Sequence, residues 1–312
     1  MMNNNEKYTD MEKVIVRTIA FFDLFDFPIT SWEIWNLGIW ENKNIKLTEI
    51  IESLEKLISQ RSIEKEECYY FLKGRKQSVD IRKNRYNYYQ RKIKRLKIVT
   101  KIFFLLPWIK FIALGNNIGP NNLKDGSDID VFVISSEKRI WLSRLYCAGL
   151  MKLAGMRPKQ GDERDKICLN FYLDETKMDL NKFALNKNEF DIYLMYWLAF
   201  LRPIEDRDRI YEKLIYSNDW LVNYLSNWQP YSSVISKKKL NLVNLMPSKF
   251  IDILEMWSRK WQEKRLPRVL QEIKNKDTRV VVNDSVLKLH SKDRREDYYN
   301  KWKEKIKLLN VE

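Results

Sequence analysis

The segment Gly126-Ser127-Asp128-Ile129-Asp130 runs straight into Val131-Phe132-Val133-Ile134, a polar turn feeding an apolar strand. Successive strand residues point to opposite faces, so Asp128 and Asp130 project side by side from one of them. Two adjacent carboxylates at the head of an apolar strand repel each other and resist desolvation unless a cation sits between them. Mg²⁺ (or Mn²⁺) is the natural partner, being a hard ion that takes carboxylate and phosphate oxygens. Without it, at least one of the two carboxyls is expected to hold a raised pKa. Upstream, a second expected strand at 111–114 ends in Leu114-Gly115-Asn116-Asn117, and such a glycine-bearing loop can bring backbone N–H groups close to phosphate.

The flanking sequence supplies a framework. A helix is expected from Ser136, as N-cap, to Leu153, stopped by Gly155, with a third strand over 166–173. Before this core, over 10–76, apolar spacing gives three helices and then two short strands, the plan of a winged helix-turn-helix domain. Its third helix exposes Glu49, Glu52 and Glu55, and its hairpin carries Glu64, Glu66 and Glu67. Carboxylates there repel phosphate, which argues against DNA reading and for protein contact or internal packing. Residues 77–108 form a basic linker helix with interleaved Tyr86, Tyr88 and Tyr89. It reads either as an RNA- or substrate-facing surface or as a helix packing its Tyr and Ile side on a neighbour. The core spans 109–185, and 186–312 reads as a mostly helical region whose tryptophans, Trp197, Trp257 and Trp261 among them, have the spacing of core residues. The expected class is α+β, with a small mixed sheet between a winged helix and a helical C-terminal region.

Leu114-Gly115, followed about a dozen residues later by Asp128-Ile129-Asp130 within apolar flanks, resembles the motif of the DNA polymerase beta-like nucleotidyltransferase superfamily. Residues 165–173 and 191–203 are similar to those of bacterial nucleotidyltransferase-like proteins with an N-terminal winged helix. The resemblance implies transfer of a nucleoside monophosphate from an NTP to an acceptor hydroxyl, with release of pyrophosphate. Asp128 and Asp130 would hold the metal, while Gly115, Asn116 and Ser127 would contact the nucleotide, and Arg139 or Arg144 would add positive charge. The acceptor, whether small molecule, protein or RNA, is left open. A third carboxylate is expected on the neighbouring strand, where Asn170 occupies the natural place. Asp174, further along the same face, is the substitute. If it does not serve, the alternative is a catalytically degenerate nucleotide- or RNA-binding protein of the same fold.

Composition bounds the rest. At 312 residues, 45% hydrophobic, the chain has material for about two domains and is no disordered polymer. Its net charge of +15 favours polyanionic company. Eight glycines and eight prolines favour helices over a loop-rich sandwich. Cys68, Cys147 and Cys168 are scattered and odd in number, arguing against a disulfide framework or a thiolate metal site. The single histidine, His290, argues against a zinc site and is read as structural. With no apolar run long enough to span a bilayer and a polar opening without a signal-peptide core, the expected location is the cytoplasm.

Overall fold

The computed structural model describes residues 7–41, 44–115, 118–185, 190–232 and 247–312. The chain begins with α1 (Asp10–Asp23), α2 (Ser31–Leu37) and α3 (Leu47–Ser59), then a hairpin of β1 (Ile63–Glu66) and β2 (Tyr69–Leu72). Thr9 with Glu12 and Thr30 with Glu33 form reciprocal capping boxes that start the first two helices. Next come α4 (Gln77–Phe103), β3 (Ile109–Leu114), β4 (Ile129–Ser135), α5 (Ile140–Leu153) and β5 (Ile167–Asp174). A short 3₁₀ turn leads to α6 (Ile192–Ala199), β6 (Arg202–Asp206), α7 (Ile210–Tyr216) and α8 (Trp220–Tyr224). The described chain closes with α9 (Ser248–Lys264), α10 (Arg268–Ile273), β7 (Val280–Val282), β8 (Val286–Leu289) and α11 (Arg295–Leu308).

The architecture is α+β, built around a mixed sheet of order β6-β3-β4-β5-β8-β7 in which β4 and β5 run parallel. The three central strands lie where the sequence places them. The other three come from the region read as mostly helical. β6 carries Pro203, which lacks an N–H and is tolerated because the strand lies at a sheet edge. Asp206 ends β6 and accepts hydrogen bonds from the N–H groups of Ile210 and Tyr211 at 2.8 and 3.2 Å, capping α7 from outside.

Alternation along the strands makes two apolar layers. Phe111, Phe132, Ile134, Phe171 and Leu173 face the N-terminal helices and α6, meeting Phe21, Phe22 and Tyr196 in one core. Ile112, Val131, Val133, Leu169 and Tyr172 face α4 and α5, packing with Leu96, Val99, Trp141 and Cys147. The N-terminal helices therefore share a core with the sheet.

Two expectations about helix chemistry are corrected. α5 is not capped by Ser136: the Glu255 carboxylate, reaching over from α9, accepts from the N–H groups of Trp141 and Leu142 at 2.7 and 2.9 Å. Gly155 does end that helix, at φ +64°. Trp257 and Trp261 are not core residues, because α9 turns Glu255, Ser258 and Gln262 inward and the tryptophans outward. No helix among the described residues is long and apolar enough to cross a membrane.

Candidate metal centre and adjoining cleft

Asp128 and Asp130 stand at the start of β4, on the face that also carries Phe132 and Ile134. Parallel pairing with β5 sets Asp130 opposite Cys168. The register then shifts between Asp130 and Phe132, so that Asn170 and Phe171 both border the same cleft. Ligand atoms of Asp128, Asp130 and Cys168 all lie within 4.8 Å of one another. The thiol is in hydrogen-bonding contact with both carboxyl groups, and the Asn170 amide donates to its sulfur at 2.9 Å.

The electrostatics are those of like charges held together. Burial, then the neighbouring Asp128 charge, pushes the Asp130 carboxyl up to about 7. Burial also raises Asp128, against the pull of Cys168 and Lys92. Burial and then the two carboxylates hold the Cys168 thiol well above its ordinary range. A divalent cation reverses all three tendencies at once.

The basic face of α4 positions this pair. Lys92, fully buried, donates to the Ser127 carbonyl and pairs with Asp165 at 2.9 Å. Arg91 bridges Asp165 at 2.8 Å and Asp125 at 2.6 Å, and Arg95 donates to the Asp165 carbonyl at 3.0 Å. The Asp165 N–H in turn donates to the Ser127 carbonyl at 3.1 Å. These bonds clamp the loops entering β4 and β5 together, which fixes where Asp128 points. Further up the helix, Arg82 pairs with Glu33 at 2.7 Å and Arg85 bonds Asn122 at 2.7 Å, tying the N-terminal helices to the same loop. Tyr89 is buried. Tyr86, by contrast, is exposed, so only part of the Tyr and Ile side of this helix packs on a neighbour.

Asp130 opens onto a cleft of about 240 Å³. Its apolar wall includes Trp197, which lies edge-on to Phe132 at 5.6 Å, and Tyr193, stacked on Tyr298 at 5.4 Å. At the other wall β8 and the residues after it bring Lys288, His290, Lys292 and Arg294. Lys288 donates to the Thr278 carbonyl at 2.6 Å and pairs with Asp293 at 3.2 Å, and burial pushes it down to about 8. Burial and Lys288 push His290 down to about 4, so it is a neutral imidazole near pH 7. Its structural reading agrees with an edge-on contact to Phe171 at 6.2 Å, though its ring also borders the cleft. Lys292 is exposed and pairs with no carboxylate among the described residues, while Arg294 meets Asp297 at 3.3 Å.

The remaining expected site residues divide sharply. Gly115 borders the cleft, and its N–H donates to the Asp130 carbonyl at 2.9 Å, so the two strand ends are held together. Asn116 lies outside the described residues. The Ser127 hydroxyl is turned to its own loop, 3.0 Å from the Lys124 carbonyl and 3.1 Å from that of Asp128. Arg139 and Arg144 do not reach the site. They sit with α5 on the opposite face of the sheet, Arg139 paired with Asp252 at 2.6 Å and Arg144 bonded to Gln262 at 2.6 Å. Asp174 does not complete it either: it pairs with Ser135 at the far end of β5, six residues or roughly 20 Å from Cys168. There it is buried and accepts from the Thr176 N–H and hydroxyl. The third group is Cys168, a residue the scattered cysteine spacing had set aside. Its signal was the parity of β5, which places 168 and 170 on one face.

The donor set fits a divalent ion of intermediate softness. Two carboxylates suit Mg²⁺ or Mn²⁺, whereas a sulfur donor favours Mn²⁺ or Zn²⁺ over Mg²⁺. Compared with family models, curated proteins and solved structures, the chain matches none.

Proposed function

We propose that this chain is a metal-dependent nucleotidyltransferase, moving a nucleoside monophosphate from an NTP to an acceptor hydroxyl with release of pyrophosphate. The observation that carries the reading is the convergence of Asp128, Asp130 and Cys168, with Asp130 on the wall of a cleft that also carries aromatic rings and the side chains of Lys292 and Arg294. A divalent ion bound there supplies charge neutralisation and orientation for the triphosphate. Asp128 and Asp130 would hold it, with Cys168 as the third donor. Trp197 and Tyr193 offer apolar surface for a base, and Lys292 and Arg294 offer cationic contacts for phosphate oxygens. The Gly115 N–H is engaged with Asp130, so its contribution is to fix the width of the cleft mouth. The N-terminal helices and hairpin fit a winged-helix plan used for packing, since they share the core of the sheet and present Glu49, Glu52 and Glu55 outward.

One observation favours a second reading, a nucleotide- or RNA-binding protein of the same design that has lost turnover. Asn170 stands beside Cys168 where a third carboxylate would act as base, and Asp174 lies too far away to replace it. A neutral amide neither binds Mg²⁺ strongly nor takes a proton.

The test is pyrophosphate release from each of the four NTPs with Mg²⁺ or Mn²⁺ in the presence of cell extract, alongside metal-dependent NTP binding measured by calorimetry. Release that Asp128→Asn lacks establishes the transferase. Binding without release supports the second reading, and unchanged NTP affinity in both Asp128→Asn and Asp130→Asn refutes the metal assignment itself.

A further inference from the structure

α9 is held to the body by its polar side. Asp252 pairs with Arg139, Glu255 caps α5, the Ser258 hydroxyl donates to the Trp141 carbonyl at 3.0 Å, and the Gln262 amide donates to the same carbonyl at 2.8 Å. Glu255, Ser258 and Gln262 are buried and are satisfied only in this rotation of the helix, so the outward face is fixed by specific bonds. That face is apolar: Phe250, Ile253, Met256, Trp257 and Trp261 are between 37% and 57% exposed. The indoles of Trp257 and Trp261 stack at 6.1 Å, and Arg265 lies over Trp261 at 4.0 Å.

Charge on this helix is sorted in the same way. Within about 60° of Trp257, on a helix turning about 100° per residue, lie Phe250, Ile253, Leu254, Lys260, Trp261 and Lys264. Asp252, Glu255 and Glu263 all lie at least about 120° from Trp257; Glu255 is buried against the body, and Asp252 is exposed. Lys249, Lys260 and Lys264 are exposed and make no ion pair among the described residues. The exposed side of α9 therefore combines indole and phenyl rings with unpaired lysines, while its carboxylates Asp252 and Glu263 are paired with Arg139 and Lys274.

We propose that this face of α9 docks on an anionic phospholipid bilayer surface. Trp and Phe side chains favour the boundary between headgroups and acyl chains, and lysines beside them extend to lipid phosphates. The face is a single convex helix, which can enter that boundary without opening a groove. The net charge of +15 draws the whole body towards the same negative surface. Docking of this kind is peripheral and independent of the nucleotide chemistry, for α9 packs on the opposite side of the sheet from the Asp128 cleft.

The experiment is co-sedimentation of the full chain with sucrose-loaded vesicles of phosphatidylcholine alone or with added phosphatidylglycerol, at low and physiological salt. Binding is expected with phosphatidylglycerol, weaker at higher salt, and absent with phosphatidylcholine alone. Lys260→Ala with Lys264→Ala should weaken it about thirtyfold, from roughly 1 kcal/mol per lysine. Trp257→Ala with Trp261→Ala should weaken it by about tenfold or more through lost apolar burial. All four side chains are exposed, so both variants should keep the wild-type circular dichroism and melting temperature; if the tryptophan variant misfolds, the lysine variant decides. Wild-type protein that ignores anionic vesicles overturns the proposal, as does binding that both variants retain. A dimer dissolved by the tryptophan variant in the absence of lipid binding overturns it in favour of self-association. Resistance of both indoles to acrylamide quenching overturns it by showing the face covered by another part of the chain.

Discussion

Replacing Asp130 by asparagine isolates the electrostatic tension of the acidic pair, because the amide keeps the shape and loses the charge. In the metal-free folded protein the Asp130 carboxyl is pushed from its ordinary 3.8 up to about 7. Below about pH 4 the folded and unfolded chains both carry this proton and nothing is lost. Between there and about pH 7 the unfolded chain releases a proton that the folded chain retains, so stability falls as pH rises, and the loss is complete above about 7. At roughly 1.4 kcal/mol per pH unit, the part of that loss lying between about pH 5 and the folded value is about 3 kcal/mol as a ceiling. For a chain of this size, 1 kcal/mol corresponds to about 2 °C in melting temperature. The gap between Asp130→Asn and wild type, measured by differential scanning fluorimetry in chelator, is therefore expected to widen by up to about 6 °C over this interval, the variant being the more stable. Saturating Mn²⁺ should close or reverse it, since an ion at a hundred times its dissociation constant adds about 2.7 kcal/mol to the state that binds it. A gap that stays flat from pH 5 to pH 8 would refute the account of two carboxyls held against their repulsion.

Four further substitutions probe other parts of the design. Cys168→Ser should lower affinity for Zn²⁺ or Cd²⁺ by about tenfold or more while leaving Mg²⁺ affinity nearly unchanged, measured by competition with a chelating dye; equal losses for hard and soft ions would rule out a sulfur donor. Arg295→Ala removes a buried guanidinium that bonds the Phe183 carbonyl at 2.5 Å and pairs with Asp293 at 2.8 Å and Asp191 at 3.1 Å. Leaving Asp191 without its cation and Asp293 with Lys288 alone should cost about 3–5 kcal/mol in urea unfolding, and a loss below about 1 kcal/mol would contradict the burial of that cluster. Glu255→Ala exposes two unpaired N–H groups at the start of α5, with an expected loss of about 1–2 kcal/mol in the same assay, whereas Ser136→Ala should have little effect.

Elements governed by local chemistry were legible in the sequence. Thr30 with Glu33 announces α2, Gly155 stops α5, and the alternation from Asp128 to Ile134 places two carboxylates on one face of β4. What escaped depends on pairing across long sequence distances. The valines of β7 and β8 are good strand material, but nothing local says that β8 lies against β5 over a hundred residues earlier. The same applies to Cys168, whose place beside Asp130 follows from parallel register, and to Arg139 and Arg144, whose partners are on α9. Helical spacing of Trp257 and Trp261 reveals one apolar stripe and leaves its direction open. That direction is set by the polar residues Glu255, Ser258 and Gln262, which find partners on α5.

The order of strands in the sheet also bears on how the chain can fold as it is made. β3, β4 and β5 form an early block whose outer strands are flanked by β6 and β8, synthesised later. α1 likewise meets α11, with the Trp302 indole donating to the Arg17 carbonyl at 3.1 Å across 285 positions. Contacts so distant along the chain form slowly, because closure of the long intervening loop precedes any reward from the contact. During elongation on the ribosome, the apolar edges of β3 and β5 stay open until their late partners emerge, and open edges invite pairing with other chains. A fragment trimmed to the central strands would keep both edges bare permanently, so the acidic pair is best studied in the whole chain.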